Sequence, residues 1–198
     1  MERSDAASSP KGIDTLAGGV TPGRIPTKTN CYPEGVTYFM SKYNGGHMPQ
    51  SFARVLVQIV FSTKNRFPFL ADRDIREELH AYLGGTCNNL GCSILKTGGV
   101  EDHVHLLCGL SRILSIADTI AEIKRESSKW IKTKGGLLTK FSWQNGYGVF
   151  SVGQSDIERT RAYIENQEEH HRKRTFQEEY RAFLNEYGIA FDERYVWD

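Results

Sequence analysis

Apolar positions have no sustained period from Met1 to Gly46, a stretch rich in Ser, Gly, Thr, Pro and Asn. Such a segment buries too little surface to offset the entropy of ordering it. Residues 1–47 are therefore expected to be a disordered N-terminal extension without chemistry, followed by a single domain over 48–198. The pattern then sharpens. Arg54 to Ser62 (RVLVQIVFS) is dense in Val, Ile and Phe and predicts a mostly buried strand, ended by Thr63-Lys64-Asn65-Arg66 and Pro68. After Asp72, Ile75, Leu79, Tyr82 and Leu83 recur at helical spacing, and Gly84-Gly85 and the Asn88–Gly91 run should blur or end that helix. Two short apolar runs, Cys92 to Thr97 and His103 to Leu110, flank the turn residues Gly98 to Asp102 and predict a hairpin.

Ser115, with Asp118 three residues on, is an N-cap signal for a second helix with Ile116, Ile120, Ile123 and Ser127 along one face. Gly135-Gly136 breaks it, and Tyr147 to Val152 (YGVFSV) supplies a fourth strand. Ser155 is expected to cap a C-terminal helix running to about Arg172, with a further helix from Phe176 to Tyr187. The order β-α-β-β-α-β predicts an α+β, ferredoxin-like (RRM-like) antiparallel sheet with two helices on one face and the other face free to act as a site.

Composition adds boundaries. A formal net charge of +1 and a pI near 7.7 do not announce a nucleic-acid binder, so any basic surface must be local. Cys31, Cys87, Cys92 and Cys108 form no C-x-x-C pair, which points away from a zinc ribbon and toward reduced thiols in a cytoplasm. No run approaches the roughly 18 to 20 apolar residues of a membrane span, so a soluble protein with no membrane partner is expected.

Chemistry enters at the third strand. Side chains of a strand alternate, so His103, His105 and Leu107 share one face while Val104, Leu106 and Cys108 point to the core. Two imidazoles at i and i+2 stand about 7 Å apart at their α-carbons, near enough to converge on one cation. A third ligand can come from the C-terminal helix, where Tyr163, Gln167 and His170 or His171 fall on one face. Spacing alone equally allows a structural histidine pair and the rim of a packed helix.

Asp102-His103-Val104-His105-Leu106-Leu107 resembles the HUH motif, with U a bulky apolar residue, and Arg161-Ala162-Tyr163-Ile164-Glu165-Asn166-Gln167 resembles the tyrosine helix of single-tyrosine HUH transposases. That family includes insertion-sequence and REP-associated tyrosine transposases. The segments Phe61–Arg66, Ile123–Trp130 and Trp143–Gly148 are similar to the same group, and the likeness runs from about Arg54 to the C-terminus. The resemblance implies that His103, His105 and Gln167 bind a divalent ion, Mg²⁺ or Mn²⁺, and that Tyr163 is the nucleophile. It further implies cleavage and rejoining of single-stranded, hairpin-bearing DNA through a 5′-phosphotyrosine. The protein is then expected to be a cytoplasmic, nucleoid-associated homodimer whose subunits can share an active site, with Gly153-Gln154 as a hinge.

Lys64, Arg66, Lys124, Arg125, Lys129 and Lys132 are the candidate phosphate contacts. Tyr147 and Phe150 fit the core better than base stacking, and His170 and His171 fit the surface or a supporting position. The rival functions are a non-catalytic or domesticated hairpin-binding protein and a histidine-triad nucleotide hydrolase. The second needs a third histidine where Leu107 stands.

Overall fold

The computed structural model describes residues 52–194 together with Val196 and Trp197, so the expected N-terminal extension lies outside the described residues. Four strands, β1 (Leu56–Ser62), β2 (Ser93–Gly99), β3 (His103–Gly109) and β4 (Gly148–Ser151), form one antiparallel sheet in the order β2-β3-β1-β4. With α1 (Arg73–Asn89) and α2 (Ile116–Lys132) as the crossovers, this is the expected α+β, ferredoxin-like arrangement. The hairpin, both crossover helices and the cap Ser115 stand where the sequence placed them, and Asp72 and Ser115 each accept from the amide three residues on. Gly84 and Gly85 do not end α1. The helix continues to Asn89, and Gly84 brings it against Ile94 and Thr97 of β2.

The alternation of β1 and β3 is obeyed on both faces. Val57, Ile59, Phe61, Val104, Leu106 and Cys108 pack under α1 and α2 with Leu79, Leu83, Ile120, Ile123 and Ile131. The second face carries Leu56, Val60, Leu107 and Phe150, and here the structure departs from expectation, because that face is not free. It is covered by α3 (Ile157–Glu165), α4 (Gln167–His171) and α5 (Phe176–Glu186). The reason is the composition of the face: Phe150 and Val60 pack against Phe176, Tyr180 and Leu184, while Leu56 and Leu107 pack against Ile157 and Ile164. Leaving that much apolar surface in water costs about 25 cal/mol per Å².

The expected single helix from Ser155 to Arg172 is also divided. Ser155 lies in a 3-10 turn, Gln154–Asp156, and caps nothing. Asn166 breaks the helix at φ −95°, ψ 23°, its side-chain amide donating to the Ala162 carbonyl at 2.9 Å. An Asn side chain bonded to its own backbone in this way competes with helical continuation. The last helix begins on a full capping box between Thr175 and Glu178.

Gly98 sets how closely α3 approaches the sheet. A Cβ at this position would stand 2.6 Å from the Ile164 carbonyl oxygen and 2.8 Å from its side chain. Gly98 is the cross-strand partner of His105, so the contact seats the end of α3 beside the histidines. Lys96 adds an ion pair to Glu165 at 2.9 Å. Gly98→Ala is expected to force α3 off β2 and to cost ~1–3 kcal/mol, the range for an overpacked contact; urea denaturation of the two proteins measures it.

Candidate functional site

His103 and His105 are fully buried, their rings 5.1 Å apart and edge to face on β3. Each is held through Nδ1. His103 Nδ1 lies 2.6 Å from Asp102 Oδ1, and Asp102 is in turn paired with Arg66 Nε at 3.1 Å. Burial pushes the Asp102 carboxyl up, but the hydrogen bond and charge of His103, with those of Arg66, outweigh it and hold the group below its usual range. An ionised Asp102 can only accept, so His103 carries its proton on Nδ1 and turns Nε2 inward. His105 Nδ1 lies 3.0 Å from the Gln58 amide, while its Nε2 has no hydrogen-bond partner among the described residues. A half-turn of the Gln58 amide sets its oxygen against Nδ1 and leaves the Nε2 lone pair for a ligand.

Gln167 is 1% exposed, with Oε1 3.4 Å from His103 Nε2 and Nε2 donating to Glu179 Oε1 at 3.1 Å. Tyr163 sits one turn earlier on α3 and faces His105, ring centroids 5.9 Å apart, with His170 and Phe183 on its other sides. The structure therefore brings His103, His105, Gln167 and Tyr163 together within one chain. A cleft of about 310 Å³ lined by Gln58, Tyr163, His170, Glu179 and Phe183 reaches this group.

Two members of the cluster lie outside the set His103, His105 and Gln167 that the resemblance implies. His171, half-buried rather than a surface residue, places Nε2 3.0 Å from Gln167 Oε1 and 3.1 Å from Glu179 Oε2. Glu179, 3% exposed, comes from α5 and faces four histidines at once: His171, His105 at 3.7 Å, His103 at 3.8 Å and His170 at 4.0 Å. Burial, with a smaller push from Asp102, raises its carboxyl to about 8. Burial also lowers His105 well below its ordinary value, and burial with the neighbouring His103 and His170 lowers His171 to about 4. Burial thus favours the uncharged forms of His105, His171 and Glu179. His103, His171 and Glu179 each offer a ligand atom within 4.8 Å of the others, a spacing that could hold a metal ion. The sequence did hold a signal for Glu179: with Phe176, Tyr180 and Leu184 it belongs to the buried stripe of its helix, where an acid has no structural use.

The six basic candidates differ in what they touch. Lys64 and Lys132 are exposed. Arg66 is engaged with Asp102, Arg125 with Glu122 and Glu126, and Lys129 with Glu126. Lys124 turns inward: its ammonium donates to the carbonyls of Gln144, Asn145 and Gly146 and lies 4.9 Å over the Phe61 ring. Burial lowers it to about 8. Its protons are directed at the loop before β4. Phe150 is buried, as expected, whereas Tyr147, expected in the core, is exposed.

The raised carboxyl of Glu179 has a sign. A folded value of about 8 against an unfolded one near 4.5 means that the folded protein binds more protons across that window, and stability falls as pH rises through it. In metal-free protein, Glu179→Gln should flatten this fall, so that its stability relative to the parent grows from pH 5.5 to 7.5 by up to about 1 kcal/mol per pH unit. Urea midpoints at the two pH values check it; an unchanged difference would contradict the buried acid.

A search of curated proteins found no match. Among solved structures, the chain is similar to one from Deinococcus radiodurans R1 described as a "putative transposase", at 22% identity and a TM-score of 0.48, covering 62% of this chain and 98% of that one. It is also similar to a REP-associated tyrosine transposase bound to a REP hairpin, at 15% identity and a TM-score of 0.46, covering 64% of this chain and 74% of that one. No described helix is long and apolar enough to cross a membrane. The model of the family described as "Transposase IS200 like" matches residues 51–167, more than half of the chain and the whole run from β1 to Gln167, and the chain belongs to that family.

Proposed function

We propose that this transposase cleaves and rejoins single-stranded, hairpin-bearing DNA with Tyr163 as nucleophile and His103, His105 and Gln167 as ligands of a divalent ion, Mg²⁺ or Mn²⁺. The observation that carries the reading is the placement of Tyr163 against His105, on the inner side of a helix closed onto the histidine strand. The buried His105 Nε2 and Glu179 Oε2, both without partners among the described residues, fit a site that expects a cation. A bound divalent ion would withdraw charge from a non-bridging phosphate oxygen and orient the ester.

The chain's own residues supply the rest. Asp102 and Gln58 fix the imidazoles, so that no reorganisation is needed as charge develops. The Tyr163 oxygen attacks phosphorus in line, a bond forms to that oxygen, and the bond to the 3′ oxygen breaks. The phenolic proton leaves to a nearby base and the 3′ oxygen is protonated, giving a 5′-phosphotyrosine and a 3′-hydroxyl. The ester keeps the energy of the broken bond, and a 3′-hydroxyl reverses the step without ATP. The cleft between Gln58, Tyr163 and Phe183 gives the strand a route to the tyrosine. Lys64 and Lys132 remain the freest candidates for the DNA backbone. Tyr163 stands beside its own chain's histidines, which supports a site completed within one subunit.

Incubation with labelled single-stranded DNA carrying the element's hairpin, in Mg²⁺ or Mn²⁺, should yield a covalent protein–DNA adduct that Tyr163→Phe abolishes; an adduct that survives this change removes Tyr163 from the role. His103→Ala is expected to lower the cleavage rate by ~10²-fold or more while hairpin binding persists, as read from a gel-shift titration beside single-turnover cleavage.

A further inference from the structure

Ligand atoms converge at the centre of the cluster. His103 Nδ1 is bonded to Asp102 and His171 Nδ1 lies 3.0 Å from the Arg174 carbonyl, so both rings turn Nε2 inward. Gln167 donates its amide hydrogen to Glu179 and so turns its oxygen toward those same two nitrogens, at 3.4 and 3.0 Å. Glu179 Oε2 completes the ring, 3.8 Å from His103 Nε2 and 3.1 Å from His171 Nε2, with no hydrogen-bond partner among the described residues. Four ligand atoms thus converge, and those of His103, His171 and Glu179 lie within 4.8 Å of one another. A buried carboxylate oxygen left without a hydrogen-bond partner costs about 1–3 kcal/mol. A cation at their centre turns every one of these contacts favourable, and separations near 3 Å suit ligands on adjacent positions around one ion.

We infer that Glu179 and His171 are ligands of the same ion as His103, making an imidazole-rich centre with one carboxylate that takes a first-row transition ion such as Mn²⁺ or Co²⁺ in preference to Mg²⁺. The inference rests on the reading of His103 as a metal ligand. The preference follows from the donors. Mg²⁺ is hard, demands near-ideal octahedral oxygen coordination and gives up its water reluctantly, whereas imidazole nitrogen suits the later first-row ions. A second consequence is mechanical. His103 belongs to β3, His171 to α4 and Glu179 to α5, so the ion ties the C-terminal helices to the sheet.

Calorimetric titration of the full chain, stripped of metal, tests this without reference to cleavage. Mn²⁺ and Co²⁺ should bind at least ~10-fold more tightly than Mg²⁺, and Glu179→Gln and His171→Gln should each weaken Mn²⁺ binding ~10-fold or more. Co²⁺ bound to the parent should give a visible absorption spectrum that changes in both variants. Equal affinity for Mg²⁺ and Mn²⁺, or no binding of either, overturns the inference in the unmodified protein, whatever the variants do to folding. If His103→Gln abolishes Mn²⁺ binding while Glu179→Gln and His171→Gln leave it unchanged, Glu179 and His171 are not ligands. The reading of the histidine pair then stands, and the Tyr163 adduct assay remains its separate test.

Discussion

Two imidazoles buried on one face of β3 need partners that no apolar side chain can supply, and the C-terminal part of the fold answers that need. Behind the rings, Asp102 and Gln58 take up the Nδ1 atoms. In front of them, Gln167, His171 and Glu179 arrive from two further helices. Around this polar centre the face is apolar, with Leu56, Val60, Leu107 and Phe150 gripping α3 and α5. Hydrophobic packing on the flanks holds the polar groups at close range, where water cannot screen them. The same exclusion of water shifts Glu179 upward and His105 and His171 downward, each toward its uncharged form.

The fold was legible in the sequence because its signals are local. Alternation in RVLVQIVFS and HVHLL, the capping signal at Ser115, and the turn residues between β2 and β3 each act over a few positions. Their order leaves few topologies. The histidine pair was legible for the same reason, since period two alone sends both rings to one face. What lay beyond reach was non-local. Nothing near Phe176 says that its helix folds back over the histidines, so the face read as open is closed and Glu179 was passed over. The break at Asn166 was missed because it depends on one side chain bonding its own backbone, and Gly84 misled because burial against β2 outweighs a weak local preference.

Charge along α2 illustrates how spacing can mislead about availability. Lys124, Arg125 and Lys129 look alike in sequence, yet one is a tripod beneath the loop leading to β4 and two are neutralised by glutamates of their own helix. A near-neutral chain that acts on nucleic acid has few cations to give, and this one places part of its supply in holding its own backbone.

Gly98 fixes the gap between α3 and the histidine strand by contact of main chain with main chain. A spacing set in that way does not depend on which side chains the helix wears elsewhere. The outer face of α3 is thus at liberty to change while the separation of Tyr163 from His105 stays the same. One position without a side chain sets how far α3 stands from the histidine strand, whatever the helix carries on its outside.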